Sequence, residues 1–473
     1  MYCSTNTTRV PLSKILKEGG TRVMNLTPID LLSFIIDEIS KSKSKYAINP
    51  ETDFIRDRKL PFKTLLMMLI RMEGNCMNAE IMKQFPDLEK RMCASAVIQQ
   101  RDKLKSNVFL DILRLFNQYL PIKHRLKGYR ILAIDGSKIQ VPLNRKGKYF
   151  FGPIGRPKKD GTKSEDISMV IMHGIHDILN RRFVDMRITP AKDKGNDERS
   201  SAIDMLLDNE LSDAIVLMDR GYDGYNMIEN ANRSGARYVI RSRDTYGAIA
   251  EIANLPDEEI DKWFHIRITT SNKKELLKQG YRYFQIRKKD SGKILAKGTH
   301  YRRWDHEETC TVSFRVVKFQ LDNGEWEILI TNLNRNEFGM KEMKELYHLR
   351  WGIETAYRDL KCTLGAKVFH SRKDNFIEQE LMAHTVVYNL VSALIEQIIV
   401  KVKKGEKHPK KVDFKMAFMS LRQFWFSFGN QTYETLLLNI ESYVHSDEPG
   451  RKDTRKKDPP ASRLIPFSYR YAA

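Results

Sequence analysis

Tyr347, Arg350, Glu354 and Lys361 lie in one apolar-periodic stretch that begins Tyr-His-Leu-Arg-Trp-Gly-Ile-Glu and runs on to Lys361. At about 100° per residue, a helix puts Arg350, Glu354 and Lys361 within roughly 60° of Tyr347, and Arg358 about 20° to its other side. Leu346, Leu349, Ile353, Tyr357, Leu360 and Leu364 gather on another face, so such a helix packs one side and presents the other. A carboxylate flanked by a phenol, two guanidinium groups and an ammonium suits a phosphodiester: the acid holds a divalent metal while the cations take phosphate oxygens. A solvated ladder of Arg350, Glu354 and Arg358 accounts for the spacing equally well.

Two more carboxylates bear on that choice. Asp135 follows the apolar run Ile131 to Ile134, and Asp219 follows Ile215 to Met218; each is expected to end its strand. A carboxylate at the end of a buried strand needs a partner, and a metal is one. Capping of a turn by Asp135, or pairing of Asp219 with Arg220, is the other explanation. In a ribonuclease H-like sheet the first and fourth strands are neighbours, so the two acids would share metals about 4 Å apart. Oxygen ligands favour magnesium or manganese over zinc. Trp326 and Trp351 could stack a flipped base or simply pack. Glu198 is expected to cap a helix or to serve as an auxiliary acid, and His173 and His176 on one strand would not face one ion.

These residues need elements to hold them. From Leu26 to about Lys127 the apolar residues recur at three and four, which predicts a helical region. Within it, Ala94 to Lys105 follows a turn and would present Gln99, Gln100, Arg101, Lys103 and Lys105, either to a DNA groove or to solvent. Beyond Gly128 come short β-branched runs with helices at Asn196 to Leu207 and Gly224 to Arg233, the order expected of a ribonuclease H-like core. Residues 244–336 read as an inserted β-rich subdomain. A helix from Met340 to Leu364, ending at Gly365, carries Glu354. The expected division is a helical DNA-binding domain over 1–127, a catalytic domain over 128–372, and a helical C-terminal region with a basic tail over 373–473. In that last region Thr385 to Val400 and the aromatic residues Phe424, Trp425, Phe426 and Phe428 are either a dimer surface or core. The stretch Lys401 to Lys411 is either a DNA contact or a solvated loop.

The chain has 473 residues and a formal charge of +21, a surplus beyond what solubility needs, so a polyanion is the expected partner. Five cysteines without a C-x-x-C pair suggest neither a disulfide framework nor a zinc knuckle, so a reducing cytoplasm is expected. No run is apolar and long enough to span a bilayer, and no P-loop or G-x-G-x-x-G occurs, so neither a membrane nor a nucleotide cofactor is expected.

Tyr347, Arg350, Glu354 and Lys361, with two, three and six residues between them, resemble the Tyr-Arg-Glu-Lys signature of the insertion-sequence 4 family of bacterial DDE transposases. Asp135-Gly-Ser and Asp219-Arg-Gly-Tyr are similar to that family's first two acidic motifs, and the run from Trp326 to Leu333 looks like the strand closing its inserted subdomain. The likeness covers about Arg130 to Lys361. It implies the catalytic and metal-binding triad Asp135, Asp219 and Glu354, with two Mg2+ or Mn2+ ions per site. It further implies phosphate binding by Tyr347, Arg350, Lys361 and Arg358, and cut-and-paste transfer of 3′-hydroxyls at inverted-repeat ends into target DNA. A homodimer on double-stranded DNA, in the cytoplasm and at the nucleoid, would follow. A ribonuclease H-like nuclease that does not join strands, and a lapsed DNA-binding repressor, are the alternatives.

Overall fold

The computed structural model describes residues 26–56, 59–153, 165–192, 198–243, 249–253, 255–284, 304–400, 408–446 and 468–469. Among the described residues ten strands form one central sheet: β1 (Arg130–Val141), β2 (Phe150–Pro153), β3 (Asp166–Asp177), β4 (Arg182–Pro190), β5 (Ala214–Met218), β6 (Arg237–Ser242), β7 (Ile260–Thr269), β8 (Arg282–Tyr283), β9 (Thr309–Gln320) and β10 (Trp326–Thr331). β2 and β4 lie end to end along β3, and from there the order is β1, β5, β6, β10, β9, β7, β8. β1, β5 and β6 run parallel, and β3 and β10 flank them antiparallel.

The parallel centre follows from composition. All five residues of β5 are buried, as in a strand covered on both faces. The alternation of side chains sorts the neighbouring strands into two cores. Leu132, Ile134, Val216 and Met218 face the helices Glu198–Asp208 and Tyr225–Arg233, whereas Ile131, Ala133, Ile215 and Leu217 share a core with Ile353, Ala356 and Tyr357 of the Glu354 helix.

Among the described residues of 244–336, the strands extend the central sheet and do not form a sheet apart. β10 pairs with β6 and β9 with β10, and Val312, Phe314, Val316 and Ile330 join the same core as Leu132 and Ile134. The apolar residues Ile328 to Ile330 are buried on both faces, and pairing with β6 satisfies their backbone.

The described part of the C-terminal region is likewise not separate. Its helix Asp374–Ile395 packs against the helices Pro28–Lys41, Phe62–Arg71 and Asn107–Tyr119 and shares their core. Most of the Thr385 to Val400 run is therefore interior, with Val386, Leu390, Val391 and Leu394 buried, and so is Trp425, although Phe428 is exposed. The surface reading of the Ala94–Asp102 helix is corrected at the same place. Arg101 is wholly buried and bonds Glu380, Gln379 and the Phe376 carbonyl, so it cannot read DNA, and Gln100 is nearly buried. A guanidinium that meets a carboxylate, an amide and a carbonyl inside the core loses less by burial than one left unpaired there. Gln99 stays exposed, and Lys103 and Lys105 are half-buried.

Among the described residues no helix is long and apolar enough to cross a membrane. Most of the Lys401 to Lys411 stretch and most of the basic tail lie outside the described residues.

Candidate active site

β1 does not stop at Asp135. It continues to Val141 because β3 keeps pairing with it, from Leu132 opposite Asp177 to Val141 opposite Ser168, after β5 has ended. The parallel register of β1 and β5 ends with Ile134 opposite Met218, so the next residues, Asp135 and Asp219, come side by side. Both have the parity of Ile131, Ala133, Ile215 and Leu217, which puts them on the face covered by the Glu354 helix.

The expected single helix is broken. Met340–His348 ends in a turn at Leu349 and Arg350, Trp351–Arg358 follows, and Asp359–Thr363 is a π turn before Gly365, whose φ is +79°. Glu354 stays on the first turn of the second helix and bonds the Arg350 Nη2 at 2.9 Å, with its side chain 41% exposed. Arg358 is exposed and forms no ion pair among the described residues, so the expected ladder is half made. The π turn swings Lys361 inward, where its Nζ donates to Ser137 Oγ at 2.5 Å and to the Lys138 carbonyl at 3.0 Å.

The three acids share one electrostatic neighbourhood. Burial pushes the Asp135 carboxyl up to about 6, the Gly136 amide and Arg350 oppose this, and the charges of Glu354 and Asp219 add to it. Asp135 and Asp219 each accept a bond from the following backbone amide, and neither has an ion-pair partner among the described residues. Beside them stand buried donors with no acceptor among the described residues: Tyr347 Oη, Arg350 Nε and Tyr222 Oη. Buried polar groups are rarely left so, and three around one acidic pair mark a place where ligand oxygens would satisfy them.

A family model described as Transposase DDE domain matches residues 126–390, more than half of the chain and the span that holds all three acids. The chain belongs to the DDE transposase family. It is a DNA transposase, a metal-dependent enzyme of polynucleotidyl transfer and cleavage. Transposase InsG for insertion sequence element IS4 of Escherichia coli (strain K12) is 23% identical to it over 353 residues, 71% of this chain and 70% of that protein. The cryo-EM structure of the piggyBac transposase synaptic complex with hairpin DNA is similar at 13% identity, covering 92% of this chain and 89% of that one. Its TM-score of 0.39 is too low to carry an argument about fold.

Divalent metal ions are general in this family, and the transposase offers a donor set that fits one: carboxylate oxygens, two of them without a protein cation in contact. Among the described residues no three His, Cys, Asp or Glu side chains are already gathered as ligands. Glu354 accepts instead from the Arg350 Nη2 at 2.9 Å.

Other side chains of the transposase fix the acids, and spacing in the sequence did not reveal them. Tyr357 Oη donates to the Asp135 carbonyl at 2.9 Å and the Met172 carbonyl at 3.0 Å, through a gap that exists because residue 174 is glycine: a Cβ there would lie 2.9 Å from that oxygen. Arg199 holds the turn after Asp219, its Nε donating to the Gly221 carbonyl at 2.6 Å and its Nη2 to Asp223 at 3.2 Å, while Ser242 bonds the other Asp223 oxygen. The sole clue in sequence was the charge of Arg199 beside a helix start. Glu198 fills the space left by Gly136, with its Oε1 3.0 Å from where a Cβ would stand, and strand alternation puts that space on the face opposite the Asp135 side chain.

Trp326 opens β10 at the sheet end where β5 and β6 finish, with Lys318 Nζ 4.8 Å from its ring centroid. Trp351 is 47% exposed, and the Arg350 guanidinium lies 4.9 Å from its ring centroid. His173 bonds Thr189, and His176 packs edge-on to Phe183 and Tyr388.

Proposed function

We propose that this transposase cuts DNA at the ends of an insertion sequence and joins the freed 3′-hydroxyls to target DNA, with Asp135, Asp219 and Glu354 as its metal-binding acids. The single observation that carries the reading is the register of β1 and β5, which sets Asp135 beside Asp219 beneath the Glu354 helix in a chain of the DDE transposase family. The sheet order β4, β3, β1, β5, β6, with β1, β5 and β6 parallel, supports a ribonuclease H-like core over 128–372. The spacing of Tyr347, Arg350, Glu354 and Lys361 supports membership of the insertion-sequence 4 group.

Two Mg2+ or Mn2+ ions held by the acids would supply charge stabilisation at the phosphorus and a water acidic enough to attack it. The chain's own residues do the remaining work. Tyr347 Oη and Arg350 Nε, both buried without acceptors among the described residues, donate to phosphate oxygens of the scissile strand. Lys361 holds Ser137 and the Lys138 carbonyl, which keeps the strand beyond Asp135 rigid, and lends positive charge toward the phosphate. Arg358, exposed on the next turn, meets the backbone further along, and Trp326 or Trp351 stacks a base turned out of the duplex. The strand is cut by water and the liberated 3′-oxygen attacks a target phosphorus in turn, so no covalent bond forms between protein and DNA. Joining two ends in one event calls for a pair of subunits, and the interior run from Thr385 does not supply their contact.

Replacing Asp135, Asp219 or Glu354 singly by Ala is expected to abolish magnesium-dependent strand cleavage and leave duplex binding within about twofold, because the acids add little to phosphate affinity. A Glu354→Ala variant that still nicks DNA would sink the assignment.

A further inference from the structure

In the N-terminal helices a cavity of about 380 Å³ opens between the turn 51–56 and the end of the Ala94–Asp102 helix. Lys43, Arg56 and Lys103 stand around it with Glu51, Thr52 and Gln100, above a floor of Phe54 and Phe62. Its walls are tied: the Ile48 amide bonds the Lys103 carbonyl at 2.8 Å, the Lys105 amide bonds the Tyr46 carbonyl at 2.9 Å, and Asp53 closes the turn by accepting from the Asn49 amide at 2.9 Å.

Two features set this place apart from an ordinary solvated surface. The first is charge. The neighbouring Lys45 and Lys63 are neutralised by Asp111 and Asp37, whereas Lys43, Arg56 and Lys103 have no ion-pair or hydrogen-bond partner for their side chains among the described residues. Against these three cations the lining holds one acid, Glu51. The second is backbone strain. Phe54 has a φ of +59°, a left-handed conformation that costs a bulky residue of order 1–3 kcal/mol and persists where surrounding structure enforces it. Its ring is pinned edge-on against Phe62 at 5.1 Å, and the turn so formed carries Ile55 and Arg56 outward beside the cavity.

We propose that this cavity is a seat for the phosphate backbone of duplex DNA, separate from the catalytic acids, with Lys43, Arg56 and Lys103 neutralising phosphates while Thr52 and Gln100 offer hydrogen bonds. It rests on the reading of the protein as a transposase that holds DNA at a second place while cutting it at the first. Charge complementarity selects the occupant: unpaired cations around a rigid, partly apolar hollow match a polyanion whose sugars present apolar edges between phosphates. The sequence pattern points to recognition by the Ala94–Asp102 helix. With Arg101 turned into the core, Gln100 and Lys103 meet this cavity instead.

The test is fluorescence anisotropy of the full chain with a labelled duplex of arbitrary sequence over a range of salt, since binding to the phosphate backbone is sequence-independent. The variant carrying Lys43→Ala, Arg56→Ala and Lys103→Ala is expected to bind at least about tenfold more weakly. Its plot of log affinity against log salt should flatten by roughly 0.9 for each phosphate that is no longer neutralised. Glu51→Lys adds a charge at the same place and is expected to tighten binding and steepen the plot, an outcome that misfolding could not imitate. If the triple variant keeps its melting temperature and the wild-type slope, or Glu51→Lys leaves affinity unchanged, the proposal is overturned. A wild-type chain whose binding does not depend on salt would instead remove the underlying reading, so the two failures are told apart.

Discussion

Lys361 shows how burial sets the chemistry of one residue. Burial pushes its ammonium down to about 8, aided by the nearby Lys367 and opposed by Cys362 and Asp135. A cation whose folded value lies below the ordinary lysine value of about 10.4 is charged at a cost, so stability rises as pH climbs from about 8 through that window. The positive charge available to a phosphate disappears over the same rise. Single-turnover cleavage by the wild type is therefore expected to decline as pH passes 8, while Lys361→Arg, slower throughout, holds level because its guanidinium stays charged. Parallel profiles for the two proteins would rule this out. Arg199 acts one step further back, through the turn that aims Asp219. Arg199→Ala is expected to weaken Mn2+ affinity about 10- to 100-fold by calorimetry, as removal of a supporting shell does, with DNA affinity unchanged and partial rescue by Arg199→Lys. Unaltered Mn2+ affinity would leave Arg199 a structural role alone.

At the scale of elements, the Ala94–Asp102 and Asp374–Ile395 helices are locked by a buried ion pair, Arg101 to Glu380 at 2.8 Å. Burial pushes Glu380 up, but Arg101 and His370 more than offset this and hold it at about 2. A carboxylate depressed in the folded state stabilises the fold fully above its ordinary value of about 4.3, and that contribution drains away as pH falls toward 2. Glu380→Gln leaves Arg101 buried without a counter-charge and is expected to cost about 3–5 kcal/mol at pH 7 by denaturant unfolding, the difference shrinking below pH 4. A pH-independent difference would mean that packing, not the ion pair, is what the substitution removes. The π turn after Arg358 is the other decisive element, because a regular helix would leave Lys361 on the polar face with Glu354, whereas the wider turn brings it to Ser137.

For the whole molecule, helices from both ends of the chain share one core with the Glu354 face of the sheet. Truncation after Lys373 removes the Asp374–Ile395 helix from the centre of the N-terminal helices. The product is thus expected to lose cooperative unfolding and to expose apolar surface, measured by calorimetry and dye binding, instead of persisting as a folded monomer. A truncated chain with a sharp transition near the full-length midpoint would show that the N-terminal helices hold together without it.

The sequence by itself determined the local parts. Apolar runs ending in Asp135 and Asp219 set two strands, and period-3.6 patterning set the helices at 198–208 and 225–233 within a residue or two. The four residues Tyr347, Arg350, Glu354 and Lys361 were legible because their spacing needs only one helix to relate them. Tertiary structure alone decided the matters that depend on distant pairing. It set β1 running past Asp135 because β3 lies beside it, β10 joining β6, and Arg101 facing inward because Glu380, far along the chain, awaits it. It also gave Arg199 and Tyr357 their hold on the acids. No periodicity encodes such pairings, since each exists through residues whose separation in sequence is unrelated to their separation in space.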